Sequence, residues 1–363
     1  MSQIRLMKPY LGFDEVEAEV REIFDSGIFT RGQHVQAFAD EIAGYTGARH
    51  AFLATSATTA LWVALKAVGV GAGDEVIVSD FSFPASANVV EDLGAVPVFA
   101  DVDPSTYNMD PAALEALIGP RTRAVIFVDA LGNPTGVTRI SELCRDRGVP
   151  LIEDAACAIG SAENGRRCGS IADLSCFSFH PRKLISTGEG GAITTDNADW
   201  ADWLTVKLAH GAHGMKGVGL DFVDYGYNFR LPELSALMGR KQLARLDDIV
   251  ADRNRVRRAY IEQLVPLGFV PQAVGDDVTY NVQSMVFTVP EGVDRDNLIL
   301  RLRGTVETTI GTYALSSGTY FLDKYHTPQP VAARLEATTI TFPCFDGVDV
   351  DAVADAVQAA LGG

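Results

Sequence analysis

The chain has 363 residues, 47% hydrophobic and 21% charged, with a formal net charge of −17. That composition suits a globular protein able to bury one large core and a smaller one, and it excludes global disorder. The acidic balance argues against nucleic acid or an anionic membrane as the main partner, so a phosphate-bearing ligand must be gathered by local donors. The five cysteines, Cys144, Cys157, Cys168, Cys176 and Cys344, are scattered and form no C-x-x-C pair. They read as reduced thiols rather than a disulfide framework or a zinc site. The N-terminal stretch lacks the apolar core of a signal peptide, and no apolar run approaches the roughly 20 residues that span a bilayer. A soluble, cytoplasmic protein is expected.

In chain order, strand-like segments alternate with helix-like ones from about residue 50 to residue 195. Residues 51–54 precede a helical run at 58–68, 75–79 precede 85–93, 96–100 precede 111–118, and 124–128 precede 140–147. Further strands are expected at 151–153, 174–177 and 192–195. The alternation predicts an α/β fold of βαβ units, with a mostly parallel central sheet covered by helices on both faces. Past Asn228 the character changes. Residues 231–264 have helical spacing and carry the chain out of the large domain. A strand at 284–289, a helix at 296–303, a strand at 338–342 and a helix at 350–361 predict a small C-terminal α+β domain. The division falls at 1–245 and 246–363, with no flexible tether between the two parts.

Residues able to do chemistry collect at strand ends. Segment 178–191, SFHPRKLISTGEGG, places Lys183 on a turn between strands, and VPLIE at 149–153 delivers Asp154 at a carboxyl end. Such a lysine and carboxylate suit a pyridoxal phosphate site. The amine forms an imine with the cofactor's aldehyde, and the carboxylate keeps the pyridine nitrogen protonated. Taken singly, a lysine is more often a solvated surface residue and Asp154 a strand-end cap. Ser56-Ala57-Thr58-Thr59 stands at a helix start, where phosphate binds well, although a plain N-cap would explain it. Phe83 suits stacking on an aromatic ring or, equally, a place in the core. Thr58, Phe83, Asp154 and Ser178 share one property: all fall at strand carboxyl ends or on the loops after them, where open parallel sheets bind ligands. His210 and His213 sit on a probable helix end with no third ligand at a suitable spacing, so no metal is expected.

Several blocks together resemble the DegT/StrS family, the fold type I pyridoxal phosphate enzymes best known as aminotransferases for nucleotide-linked keto sugars. They are FADEIAGYTGARHAF (38–52), GDEVIVSDFSFPASAN (73–88), GAVPVFADVDPSTYNMDP (94–111), VPLIEDAACAIG (149–160), SFHPRKLISTGEGGAITT (178–195) and YGYNFRLPELSALMGRKQLARLDD (225–248). By this resemblance Lys183 forms the imine and shuttles the proton, Asp154 pairs with the pyridine nitrogen, and Phe83 packs on the ring face. Ala57, Thr58 and Ser178 hold the phosphate. Asn228 reaches the cofactor phosphate of a neighbouring subunit, which implies a homodimer with a shared site; Arg230 is a weaker member of that set.

Departures from the family pattern fall around the substrate. Ala57 stands where glycine is usual. Cys157, a poor hydrogen-bond donor, stands where Gln or His usually bonds the ring hydroxyl. Ser316, Ser317 and Gly318 replace a stretch that usually contains histidine. The expected activity is transfer of an amino group from an amino acid to a keto-sugar-like or cyclitol acceptor. Cys157, Ser316 and Ser317 further predict poor use of common nucleotide-linked keto sugars. Elimination, dehydration or carbon–carbon bond formation on the same cofactor is the rival reading, and a non-catalytic regulator is a third, disfavoured by the presence of both Lys183 and Asp154.

Overall fold

Strands that are apolar at consecutive positions must be covered on both faces, and seven of them build the central sheet. They are β1 (His50–Ala54), β2 (Glu75–Ser79), β3 (Val96–Ala100), β4 (Thr122–Val128), β5 (Leu151–Asp154), β6 (Leu174–Ser178) and β7 (Gly191–Thr195). The computed structural model describes residues 3–8 and 10–362. Across the sheet the order is β1-β7-β6-β5-β4-β2-β3, and β7 alone runs against its neighbours.

Successive side chains enter different cores. Val76, Val78, Ile126, Val128 and Ile152 pack with the helix Ala57–Ala67, whereas Ile77, Val125, Phe127 and Leu151 pack with the helix Val137–Arg147. Each such buried aliphatic side chain contributes about 1.5–3 kcal/mol. The same alternation positions the site. Asp154 and Ser178 continue the face of Ile152 and Cys176, while Glu153 and Asp129 continue the opposite one.

The helical spacing over 231–264 resolves into two helices, Glu233–Leu243 and Leu246–Leu264, broken at Arg245, whose φ of −121° leaves the helical range. The second helix enters a region built on a four-stranded antiparallel sheet, in the order Val270–Pro271, Met285–Thr288, Thr339–Phe342, Thr309–Ile310. Tyr260, Phe269, Phe287 and Phe342 form its core, closed by the helices Arg295–Leu302 and Val350–Gly362. Arg253 is buried and ties this region together, donating to the carbonyls of Val282 at 3.2 Å and Gln283 at 3.4 Å.

Among the elements not foreseen, one stands at the surface. Ala212–Lys216 and Gly219–Phe222 form a β-hairpin that leaves Met215, Val218, Leu220 and Phe222 exposed. His213 lies on this hairpin, not on a helix end, because the helix Ala198–Lys207 stops before His210, which has a φ of +62°. Among the described residues, no helix is long and apolar enough to cross a membrane.

Candidate active site

Strand pairing assembles the phosphate-binding candidates. Gly191 of β7 lies opposite Ser178 on one side and Ala54 on the other. A Cβ at Gly191 would fall 2.5 Å from the Ser56 carbonyl carbon and 2.7 Å from the Phe177 oxygen. Glycine is therefore required for the loop after β1 to approach so closely. The helix Ala57–Ala67 starts there, and Ser56 caps it by accepting the Thr59 amide at 3.1 Å. The amides of Ala57 and Thr58 remain in the first turn, which has no preceding helical carbonyl to receive them. Ser178 is buried on the same side and Thr58 is exposed. A helix terminus with hydroxyls beside it is a ready anion cradle.

Asp154 ends β5, fully buried. Its Oδ2 accepts from Ser86 Oγ at 2.7 Å and its Oδ1 from the Ala156 amide at 3.2 Å. Ser86 Oγ also lies 2.8 Å from Ser82 Oγ. An ionised carboxylate only accepts, so Ser86 donates to Asp154 and receives from Ser82. Burial pushes the Asp154 carboxyl pKa up, while the Ser86 hydroxyl, the Ala156 amide and the nearby charge of Lys183 pull it down.

Lys183 sits in a turn closed by its own amide, which donates to the His180 carbonyl at 2.8 Å. Two glutamines from distant helices and loops clamp that turn. Gln283 accepts the Leu184 amide at 2.6 Å and donates to the Arg182 carbonyl at 2.7 Å. Gln242 does the same to Ser186, at 3.0 Å and 2.7 Å. Lys183 Nζ donates to Cys157 Sγ at 3.0 Å. Cys157 is held in turn through its carbonyl, which accepts from Asn281 Nδ2 at 2.8 Å. The structure thus brings Lys183, Cys157 and Asp154 together at the tips of β5 and β6.

Phe83 is not a core residue: it is 63% exposed, with its ring centroid 6.3 Å from that of Tyr313. Tyr313 arrives because Tyr313–Ala314 pairs with Phe81–Ser82. Ser316 corrects the sequence reading. It is buried rather than facing an acceptor, and both its amide, at 2.7 Å, and its Oγ, at 2.8 Å, donate to Asp80. Ser317 beside it is half-buried and Gly318 exposed. Asn228 is exposed on the extended segment after the hairpin. Tyr227 and Phe229 on either side stack on each other and pack against Trp62 of the helix Ala57–Ala67. Buried Lys207 anchors the same segment, donating to Asp224 Oδ2 at 2.6 Å and to the Tyr225 carbonyl at 3.0 Å. Arg230 lies nearby in sequence, its Nη1 buried without a side-chain or backbone partner. Ser86, Gln242, Gln283 and Asn281 escaped the sequence reading, because each acts through a bond between residues far apart in the chain.

This donor set fits pyridoxal phosphate: an amine at Lys183, an accept-only carboxylate at Asp154, and a helix terminus with hydroxyls for a phosphate dianion. The DegT/DnrJ/EryC1/StrS aminotransferase family model matches residues 13–361. Over 369 residues the chain is 34% identical to the spore coat polysaccharide biosynthesis protein SpsC of Bacillus subtilis, covering 97% of this chain and 94% of that protein. Over 274 residues it is 38% identical to GDP-perosamine synthase of Caulobacter vibrioides, covering 74% and 72% of the two. The solved aminotransferase TlmJ from Streptoalloteichus hindustanus matches with a TM-score of 0.92 at 31% identity, covering 99% of each chain. The chain belongs to the DegT/DnrJ/EryC1/StrS aminotransferase family, and it is an enzyme that uses pyridoxal 5′-phosphate.

Proposed function

We propose that this enzyme transfers an amino group from an amino acid such as glutamate or glutamine to a keto sugar, carried as a nucleotide-linked form. The observation that carries this reading is the convergence of Lys183, the Asp154–Ser86 pair and the Ala57/Thr58/Ser178 cradle at one end of the sheet. Similarity to a GDP-perosamine synthase supports the sugar acceptor.

When bound, pyridoxal phosphate supplies the electron sink on which an amino nitrogen is exchanged. In this reading the chain does the rest. Asp154, kept anionic by the Ser86 hydroxyl and the Ala156 amide, holds a proton on the ring nitrogen. Ala57, Thr58 and Ser178 fix the phosphate, and Phe83 covers one ring face beside Tyr313. Lys183 Nζ takes a proton and returns it, steered by Cys157 Sγ. Residues 1–245 supply these groups, and 246–363 supply the Gln283 and Asn281 clamps. Asn228, exposed beside an apolar hairpin, reaches into the site of a second copy, making a homodimer with shared sites. Five free cysteines, four of them buried, support a cytoplasmic setting.

The test follows the visible spectrum of purified enzyme while amino donors are added singly. A panel of nucleotide keto sugars is then assayed beside unlinked ketones and cyclitols. Amine transfer to a nucleotide keto sugar is expected. Turnover confined to unlinked or non-sugar ketones, or release of eliminated product without amine transfer, overturns the proposal.

A further inference from the structure

Behind Asp154, on the opposite face of the sheet, lie two carboxyls with no part in the chemistry above. Asp129 follows β4 and Glu153 precedes Asp154 on β5; neither exposes any surface. Among the described residues, both Asp129 oxygens and Glu153 Oε1 have no other hydrogen-bond partner. With Cys168 Sγ, the two carboxyls bring their donor atoms within 4.8 Å of one another. The two carboxyls are unevenly supplied. Glu153 Oε2 accepts the Gly169 amide at 2.9 Å and the Ser175 hydroxyl, whereas no donor reaches the Asp129 carboxyl.

We propose that Asp129 and Glu153 share one proton and act as a single fixed negative charge that positions and polarises Asp154. Two carboxylates this close in a dry site cannot both ionise. A proton between them partners two of the three orphaned oxygens, Glu153 Oε1 and one oxygen of Asp129. The donors on Glu153 assign it the charge, so Asp129 is the acid and its O–H donates to Glu153 Oε1. Burial, Glu153, Asp154 and Cys157 together push the Asp129 pKa well up. Glu153 is raised by burial and drawn back by Ser175, the Gly169 amide, Cys168 and Asp129. Burial likewise keeps the Cys168 thiol protonated, which suits a weak donor and not a metal ligand. The pair is joined to the site through the backbone, since the Asp129 amide donates to the Asp154 carbonyl at 3.3 Å. A permanent anion at this position raises the proton affinity of whatever Asp154 holds. That last step rests on the proposed pairing of Asp154 with the ring nitrogen.

Two substitutions of nearly equal size separate charge from shape. Asp129→Asn keeps the anion, because an amide NH₂ can donate to Glu153. Glu153→Gln removes it, because burial and the neighbouring Asp154 charge still hold Asp129 in its acid form. In cofactor-free protein at pH 8, infrared difference spectra should show the carbonyl stretch of a protonated carboxylic acid in the wild type and its loss in Asp129→Asn. Stability should agree in sign. Asp129 is raised in the fold above its unfolded value of about 3.9, so it costs stability increasingly as pH rises past that value, and Asp129→Asn should lose less stability between pH 4 and 8 than the wild type. In the loaded enzyme, the ¹⁵N signal of the cofactor ring should stay protonated in Asp129→Asn and shift toward neutral in Glu153→Gln. Cofactor affinity should fall about tenfold in Glu153→Gln only. No acid band in the wild type, a band that survives Asp129→Asn, a stoichiometric metal ion in the purified protein, or equal ring signals in the two variants overturns the proposal. The infrared arm decides the shared proton without cofactor. An unchanged ring signal in Asp154→Asn strikes instead at the role given to Asp154.

Discussion

The lysine turn and the 212–222 hairpin are both loops between elements of the large region, and they are built on opposite principles. The turn carries Leu184 and Ile185 into the core and has its backbone held by Gln283 and Gln242. Among the described residues, the two hairpin strands pair with each other and no further strand, and they turn Met215, Val218, Leu220 and Phe222 outward. A loop that must hold a reacting atom within a few tenths of an ångström is completed within its own chain. A loop that presents several apolar side chains to water is completed by another surface. Under the proposed function, the difference assigns catalytic precision and assembly to separate segments, so each should be breakable without the other.

The largest effect should come from the turn itself. Lys183→Ala should leave the fold intact and remove the amine proposed to transfer the proton, for a loss on the order of 10⁴-fold in turnover. Borohydride reduction and peptide mapping check the assignment: the cofactor should be fixed to Lys183 in the wild type and to no other lysine. Asp154→Asn should retain cofactor but lose on the order of 10²–10³-fold in turnover, as when other preorganised electrostatic partners are removed; near wild-type rates would remove it as the ring partner.

The hairpin should fail differently. Leu220→Asp with Phe222→Asp is expected to convert a dimer to monomers in light scattering while each chain keeps its melting profile. If Asn228 crosses between subunits, mixed dimers of Asn228→Ala and Lys183→Ala chains regain activity, since one hybrid site has both residues native. No recovery in verified heterodimers would place Asn228 in its own chain's site. A smaller effect is expected from Gln283→Ala, which strips partners from two backbone groups of the turn. It should cost about 1–3 kcal/mol in denaturant unfolding, with little change in oligomeric state. The smallest is a pH effect at Asp80, whose carboxyl burial raises to about 7 despite the Ser316 donors. Its folded value exceeds the unfolded one, so it destabilises increasingly as pH climbs from about 4 to 7. Asp80→Asn should flatten that part of the pH–stability curve.

Lys183 and Asp154 were legible because local pattern places them: a lysine among glycines after a strand, and a carboxylate at the tip of an apolar run. The βαβ order was legible for the same reason. Ser86 was not, because nothing in 81–88 shows that its hydroxyl meets a carboxylate 68 residues later. Gln283 reaches Leu184 across 99 residues, and no local spacing encodes that. The hairpin stayed hidden because its glycines and scattered apolar residues lack the alternation of a half-buried strand. The bracing of Asp80 by Ser316 was not legible, since substitution alone cannot distinguish a residue that lines a site from one that braces it.

Trp62 gives the assembly an optical handle. It stands on the helix that begins at the phosphate cradle, its indole bonded to Asp92 at 2.7 Å and its ring 4.9 Å from Tyr227 and 6.0 Å from Phe229. Any shift of the Asn228 segment changes the polarity and ring contacts around that indole. Tryptophan emission, with Trp200 and Trp203 replaced by phenylalanine, would report the segment's movement in real time. A fluorimeter could then follow cofactor loading and subunit exchange on the unlabelled backbone.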